Sequence, residues 1–340
     1  MVTLRIHLYI RHFNADIWIF GSEYLLKQAN FLFGKYYRRA IQLLASQFYR
    51  NPDQDLGRSM LVAGTARSGT VWLADMIASQ ISCRTLFEPF NPDLVPEYRE
   101  FHYFQYMRPG SENKKLHAFA QSVFSGQIRN SWVDHQNERV FPKYRLVKEI
   151  RANLMLRWLH DNFPAVPIIF IMRHPCAVVL SRMQLGWATD RDIDPFLSQP
   201  ELVTDQLAPH LDTIRHARTE EEKHAVIWSV TNLVPLKQFQ SDGFKIVFYE
   251  DLCTQPEVEL TSVFKVLGKA YPKTDIGRIT GRPSQTTRKN SAILIGTDKV
   301  GSWKKSLEVS QIDNILRIVD AFGLSHLYGD SPLPLNRSVL

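Results

Sequence analysis

Two short stretches of the chain carry side chains suited to binding anions. The first is Gly64-Thr65-Ala66-Arg67-Ser68-Gly69-Thr70-Val71-Trp72. Its two glycines enclose four residues, as in the G-x4-G of a nucleotide-binding P-loop, whose backbone amides converge on a phosphate at a helix N-terminus. An NTPase of that kind then needs a Lys and a Mg²⁺-binding hydroxyl, but Thr70 and Val71 stand there instead. Arg67 supplies positive charge from inside the loop, so the expected ligand is an anion held without a metal. The second stretch opens at Arg173-His174-Pro175 and reaches Ser181. Ser181 follows Arg173 by about two helical turns, so both side chains share a face and suit a second phosphate.

Each stretch falls where a strand passes into a helix. Met60–Ala63 reads as a short buried strand leading to a helix over Val71–Ile81. Tyr144–Ile150 is a second strand, followed by a helix over Asn153–Asn162. Ile168–Met172 is the clearest strand, and Pro175 suits the first turn of the next helix, where its missing N–H costs nothing. Lys245–Tyr249 is a fourth, followed by a helix over 256–267. Continuously apolar strands alternating with helices predict an α/β, P-loop-like three-layer fold with a central parallel sheet flanked by helices. In such open sheets ligands bind at the C-terminal edge, which is where Arg173 is placed.

Composition narrows the partner. The 340 residues hold 41 Lys and Arg against 34 Asp and Glu, a formal charge of +7. That excess fits nucleic acid, an acidic membrane surface, or a phosphorylated or sulfated ligand. A 44% hydrophobic content excludes wholesale disorder. Cys83, Cys176 and Cys253 form neither CxxC nor a zinc pattern, and read as small buried hydrophobes in a reducing compartment. The eleven His lack metal-ligand spacing, so no metal is expected. The absence of an 18-residue apolar run or a signal-peptide pattern gives a cytoplasmic expectation. Residues 1–50 hold seven basic and two acidic residues interleaved with aromatics such as Trp18, Phe31 and Tyr36. They read as a helical pair packed on the main domain, or as a segment making peripheral contact with an anionic membrane.

Together the two stretches resemble the cofactor-binding segments of sulfotransferases that use 3′-phosphoadenosine 5′-phosphosulfate (PAPS). GTARSGTVWL resembles the loop for the 5′-phosphosulfate, and RHPCAVVLSR the segment for the 3′-phosphate. Phe87-Glu88-Pro89, Lys148-Glu149-Ile150-Arg151, Phe248-Tyr249-Glu250-Asp251-Leu252 and Gly301-Ser302-Trp303-Lys304 follow in the family's order. The resemblance spans residues 58–325.

It implies a metal-independent sulfotransferase that moves a sulfuryl group from PAPS to an acceptor hydroxyl, leaving a sulfate ester and PAP. Thr65, Arg67, Ser68, Gly69, Thr70, Val71 and Trp72 are then expected on the 5′ side, Arg173 and Ser181 on the 3′-phosphate, and Tyr249 near the adenine. Arg67 and Lys148 are expected to balance negative charge during transfer. Glu88 resembles the acidic residue of carbohydrate sulfotransferases and is the expected general base. With no match to the catalytic His of cytosolic small-molecule sulfotransferases, the acceptor expectation leans to carbohydrate or a related hydroxyl compound, with no nucleic-acid partner.

There are departures from the family's pattern. His174 stands where an acid is frequent and Cys176 where a base is frequent. The basic loop that completes the 3′-phosphate site is poorly matched between Arg288 and Lys304, with Arg288-Lys289 the nearest candidate. The expected division is a basic, aromatic-rich helical extension over 1–57, a sulfotransferase domain over 58–328 and a tail over 329–340. The alternatives are a P-loop nucleotide kinase or NTPase, and a non-catalytic protein that binds polyanions or membranes.

Overall fold

A computed structural model describes residues 53–239, 244–271 and 300–337, with Gln42, Phe48, Tyr49, Asn51 and Asp298. The expectations for residues 1–41 and for Arg288-Lys289 lie outside the described residues.

Alternation along the central strands sends side chains to both faces of a sheet. Leu61, Ala63, Phe170 and Met172 join one apolar core, while Met60, Val62, Ile169 and Ile171 join the other. A sheet covered on both faces explains why its strands read as continuous apolar runs. Among the described residues the five strands are β1 (Ser59–Gly64), β2 (Cys83–Phe87), β3 (Tyr144–Glu149), β4 (Ile168–Met172) and β5 (Phe244–Phe248). They lie in the order β2-β3-β1-β4-β5, and every pairing is parallel. The fold is therefore the α/β, three-layer arrangement expected from the sequence.

The helices that bear on the site are α1 (Thr70–Gln80), α2 (Lys114–Phe124), α3 (Leu156–Asn162), α4 (Pro175–Met183), α5 (Glu220–Gln238), α6 (Tyr249–Thr254), α7 (Pro256–Val266) and α8 (Val309–Ala321). β1 leads into α1, β4 into α4 and β5 into α6, so the strand-to-helix turns all lie at the C-terminal edge of the sheet. Tyr249, expected at the end of a strand, is instead the first residue of α6. Beyond α8 the chain folds back. Leu335 N–H donates to Leu327 O at 2.8 Å, and Arg337 grips Asp251 through both carboxylate oxygens at 2.7 Å each.

Two elements were not legible in advance. β2 contains Arg84, which breaks the apolar run yet is fully buried. Its guanidinium is satisfied by Asp134 and by the carbonyls of Gly126 and Ile128, so the charge is paired rather than solvated. The long helix α5 is buried on most of its circumference and carries polar residues on its inner face, which hides the usual amphipathic pattern. No described helix is long and apolar enough to cross a membrane.

Candidate active site

The first turn depends on both of its glycines. A Cβ on Gly64 would stand 2.3 Å from the carbonyl oxygen of Ile171, its register partner across β1 and β4. Gly69 has φ 97°, and a Cβ there would stand 2.7 Å from Tyr249 Cδ2. Only glycine fits these positions without a shift of the backbone or the ring. Between them Arg67 takes a left-handed conformation, φ 77°. Gly69 is the N-cap of α1 and offers no capping side chain, so the first-turn amides are not claimed by a cap. Ser68 Oγ and Trp72 Nε1 are buried with no hydrogen-bond partner among the described residues.

Thr65 points the other way. Its hydroxyl lies 2.9 Å from Thr231 Oγ1 and accepts from Asn232 Nδ2 at 3.0 Å. The side chain thus anchors the turn to α5, while Ser68 and Thr70 are buried at the start of α1.

The second segment meets the first directly. Arg67 Nε donates to Ser181 Oγ at 2.9 Å, and Arg173 Nη1 donates to the carbonyl of Arg67 at 3.2 Å. The Arg173 guanidinium lies 4.2 Å from the centre of the Tyr249 ring, a cation–π contact. Trp72 also packs on Tyr249, with ring centres 5.4 Å apart. Burial pushes the Tyr249 hydroxyl pKa upward, so it stays protonated.

His174 explains one departure from the family's pattern. Its Nδ1 accepts from the Cys176 N–H at 3.2 Å, which caps α4, and its Nε2 lies 2.9 Å from the Gly329 carbonyl. This pairing requires a neutral ring protonated on Nε2. Burial pushes the pKa down to about 4, in agreement. A neutral His here caps the helix as an Asp would. Trp303 stacks on the same ring at 4.3 Å, which brings the Gly301–Lys304 segment against the start of α4.

Glu88 follows β2 in another left-handed turn, φ 46°, with its N–H donating to Lys148 O at 2.8 Å. Lys148 Nζ is bonded to Oε1, and Arg151 Nη1 lies 2.6 Å from Oε2. All three residues are buried. Burial alone would raise the Glu88 pKa, but the charges of Lys148 and Arg151 outweigh it and hold the carboxyl below its ordinary range. Lys148 Nζ also lies 4.6 Å from the Phe87 ring centre, and the Arg151 guanidinium 4.6 Å from that of Tyr103. Beneath them Glu149 accepts from the N–H groups of Phe90, Ile150 and Arg151 at 3.0, 2.8 and 2.9 Å. It thereby fixes the turns that present Glu88 and Arg151.

The sulfotransferase family matches residues 60–273, a span that includes both turns and Glu88. The chain belongs to this family. Among solved structures, this sulfotransferase is similar to the sulfotransferase domain of a Synechococcus olefin synthase, at 16% identity over 81% of this chain and 98% of that one, TM-score 0.40. It is also similar to the sulfotransferase domain of the curacin biosynthetic pathway, at 17% identity over 78% and 97%, TM-score 0.42. A mouse sulfotransferase solved with PAP is 14% identical over 83% and 88%, TM-score 0.42. No curated protein matches the chain. Family membership sets aside the nucleotide kinase and the non-catalytic alternatives.

Two features of this sulfotransferase escaped the reading of its sequence. Arg151 shares Glu88 with Lys148, each cation on its own carboxylate oxygen. Trp228 Nε1 donates to the carbonyl of Arg173 at 3.0 Å. The Lys148-Glu149-Ile150-Arg151 spacing carried the first signal, since Lys148 is the last residue but one of β3 and Arg151 lies in the turn that follows. Nothing local to Trp228 carried the second.

Proposed function

We propose that this sulfotransferase takes PAPS as donor and an acceptor hydroxyl of a carbohydrate or related compound, giving a sulfate ester and PAP. The observation that carries the reading is the Arg67–Ser181 hydrogen bond, which joins the two anion-binding segments at one edge of the sheet. The residues present fit a ligand with two anionic ends. Ser68 Oγ and Trp72 Nε1 are buried donors without partners, beside a helix start that no side chain caps. Arg67, Ser68, Gly69, Thr70, Val71 and Trp72 would hold the 5′ end, with Thr65 anchoring the turn. Arg173 and Ser181 would hold the 3′-phosphate, and Tyr249 would line the adenine. PAPS supplies an activated sulfuryl group and a phosphate leaving group.

The chain's own residues supply position, charge and a proton acceptor. Arg67 offers preorganised positive charge to the departing phosphate. Glu88 is ionised at neutral pH, but it is a weak base while both of its oxygens are gripped. When Lys148 turns from Oε1 toward sulfuryl oxygens, that oxygen is freed and its basicity rises as the acceptor hydroxyl needs a proton acceptor. Arg151 keeps Oε2 in place throughout. Residues 58–328 form the catalytic unit in this reading.

The test is a PAPS-dependent transfer screen over glycans, lipids, phenols and alcohols, with the sulfate ester detected by mass spectrometry. Sulfated glycans support the acceptor class, and sulfation confined to phenols overturns it. Failure to bind PAP or to consume PAPS overturns the donor.

A further inference from the structure

The helix α5 touches both anion-binding segments, and it does so with polar groups that are themselves buried. Trp228, Thr231 and Asn232 are 0–1% exposed and stand at i, i+3 and i+4, on one face of the helix. Most buried polar groups in folded proteins are paired. Here some pairs stay within the helix, as Asn232 Nδ2 to the Trp228 carbonyl at 2.7 Å does, and others leave it. Thr231 Oγ1 lies 2.7 Å from the Ile227 carbonyl, so its proton is directed there. Thr65 Oγ1 lies 2.9 Å from Thr231 Oγ1 and accepts from Asn232 Nδ2 at 3.0 Å, so with the Thr231 proton on Ile227 O, Thr65 is the donor of the pair. The shorter of the two carbonyl contacts of Thr231 Oγ1, 2.7 Å to Ile227 against 3.2 Å to Trp228, favours the order Asn232 to Thr65 to Thr231 to Ile227.

One helical turn earlier, Trp228 Nε1 donates to the carbonyl of Arg173 at 3.0 Å. The Arg173 side chain in turn reaches the carbonyl of Arg67 at 3.2 Å, which closes a circuit between the two segments. Asn153 Nδ2, just past the Glu88-gripping Arg151, donates to the Thr231 carbonyl at 3.1 Å. One rigid helix thus holds the first turn by a side chain, the second by a main-chain carbonyl, and abuts the turn after β3.

We infer that α5 is the element that sets the separation of the two phosphate subsites, with Thr231 and Asn232 positioning the 5′ turn and Trp228 positioning the 3′ segment. These are positioning residues, since none need touch the ligand. The inference rests on the PAPS reading. It differs from a general packing role in one respect: the two contact points govern different ends of the ligand.

Calorimetric titration with PAP and with AMP, which lacks the 3′-phosphate, tests this on full-length protein. Thr231→Val keeps the shape and removes the hydroxyl, so it is expected to weaken PAP and AMP alike, by about fivefold to tenfold. Thr231→Ser keeps the hydroxyl and is expected to restore both. Trp228→Phe is expected to weaken PAP by about tenfold while AMP stays within about twofold, because only the 3′ segment loses its anchor. Wild-type affinity for both ligands in Thr231→Val and Trp228→Phe overturns the inference. So does an equal loss of PAP and AMP binding in Trp228→Phe, which marks a general packing effect. If Thr231→Val fails to fold, the PAP-to-AMP ratio in Trp228→Phe decides. Wild-type protein that binds neither ligand would instead overturn the PAPS reading itself.

Discussion

Arg67 and Glu88 share a backbone property that no other described non-glycine residue has: φ is positive at both, 77° and 46°. A left-handed conformation costs a residue with a side chain about 1–3 kcal/mol, and it lasts only where surrounding bonds over-determine it. At Arg67 those bonds are to Ser181 and from Arg173. At Glu88 they are the N–H bond to Lys148 O and the two cations on the carboxylate. The strain therefore coincides with the residues assigned to charge stabilisation and proton transfer, and is not scattered through the fold.

Strain at Arg67 predicts an unusual order of stabilities. Arg67→Gly relieves the conformation while losing the Ser181 bond, so it should stay within about 1 kcal/mol of wild type. Arg67→Ala keeps the strain and loses the bond, and should fall about 1 kcal/mol below the glycine variant. Urea unfolding measures both, and an alanine variant as stable as the glycine one would refute the strained-turn account. PAP binding should be lost in each.

Glu88→Gln is expected to lose turnover while PAP still binds. It should also lose stability, because Lys148 and Arg151 would remain buried with no counter-charge. Breaking a buried ion pair from one side costs about 3 kcal/mol or more. Adding Lys148→Met should therefore recover part of the stability and none of the activity. Full turnover in Glu88→Gln would remove Glu88 from the base role.

Arg173 does three things with one planar group: it is expected to hold the 3′-phosphate, it bonds to Arg67 O, and it lies on Tyr249. Arg173→Ala should abolish PAP binding. Arg173→Lys keeps the charge but loses the fork and the flat contact, so PAP should bind about tenfold more weakly. Calorimetry that returns wild-type affinity for Arg173→Ala would sink the 3′-phosphate assignment.

Much of the arrangement was legible because it is local. The two glycines, Arg67 and the strand before them are contiguous, as are Ile168–Met172, Arg173 and Pro175, so the turns and their place on the sheet edge follow from short-range pattern. What was not legible comes from residues far apart in sequence. Thr65 belongs to the turn expected on the 5′ side, and the bond of its hydroxyl to Asn232 spans 167 positions. The charge of Arg84 hides β2 from a reading of apolar runs, because the Asp134 that pairs it lies 50 residues on. His174 read as a departure from pattern, and only its bonds to Cys176 N and Gly329 O reveal a cap.

That buried cap predicts how stability depends on pH. His174 has an ordinary pKa of 6.5 that burial lowers to about 4. Between these values the unfolded chain binds a proton that the folded protein refuses. The stabilisation from a neutral His174 is therefore fully present above pH 6.5 and is lost as pH falls toward 4, by about 3 kcal/mol in all. Glu88, lowered by its two cations, adds to the loss at acid pH, whereas Glu149 and Glu250, raised by burial, oppose it. His224, lowered to about 3, acts in the same sense as His174. These groups are common to wild type and a His174→Asn variant, so the difference between the two isolates one residue. Asn can accept the Cys176 N–H and does not titrate. The variant should be less stable at pH 7, having lost the Trp303 stack, but its stability should fall less steeply from pH 6.5 to 4. Urea unfolding across that window measures the gap, which should narrow by about 2–3 kcal/mol. Parallel curves would mean that His174 titrates alike in both states, and that its ring is not held neutral by the fold.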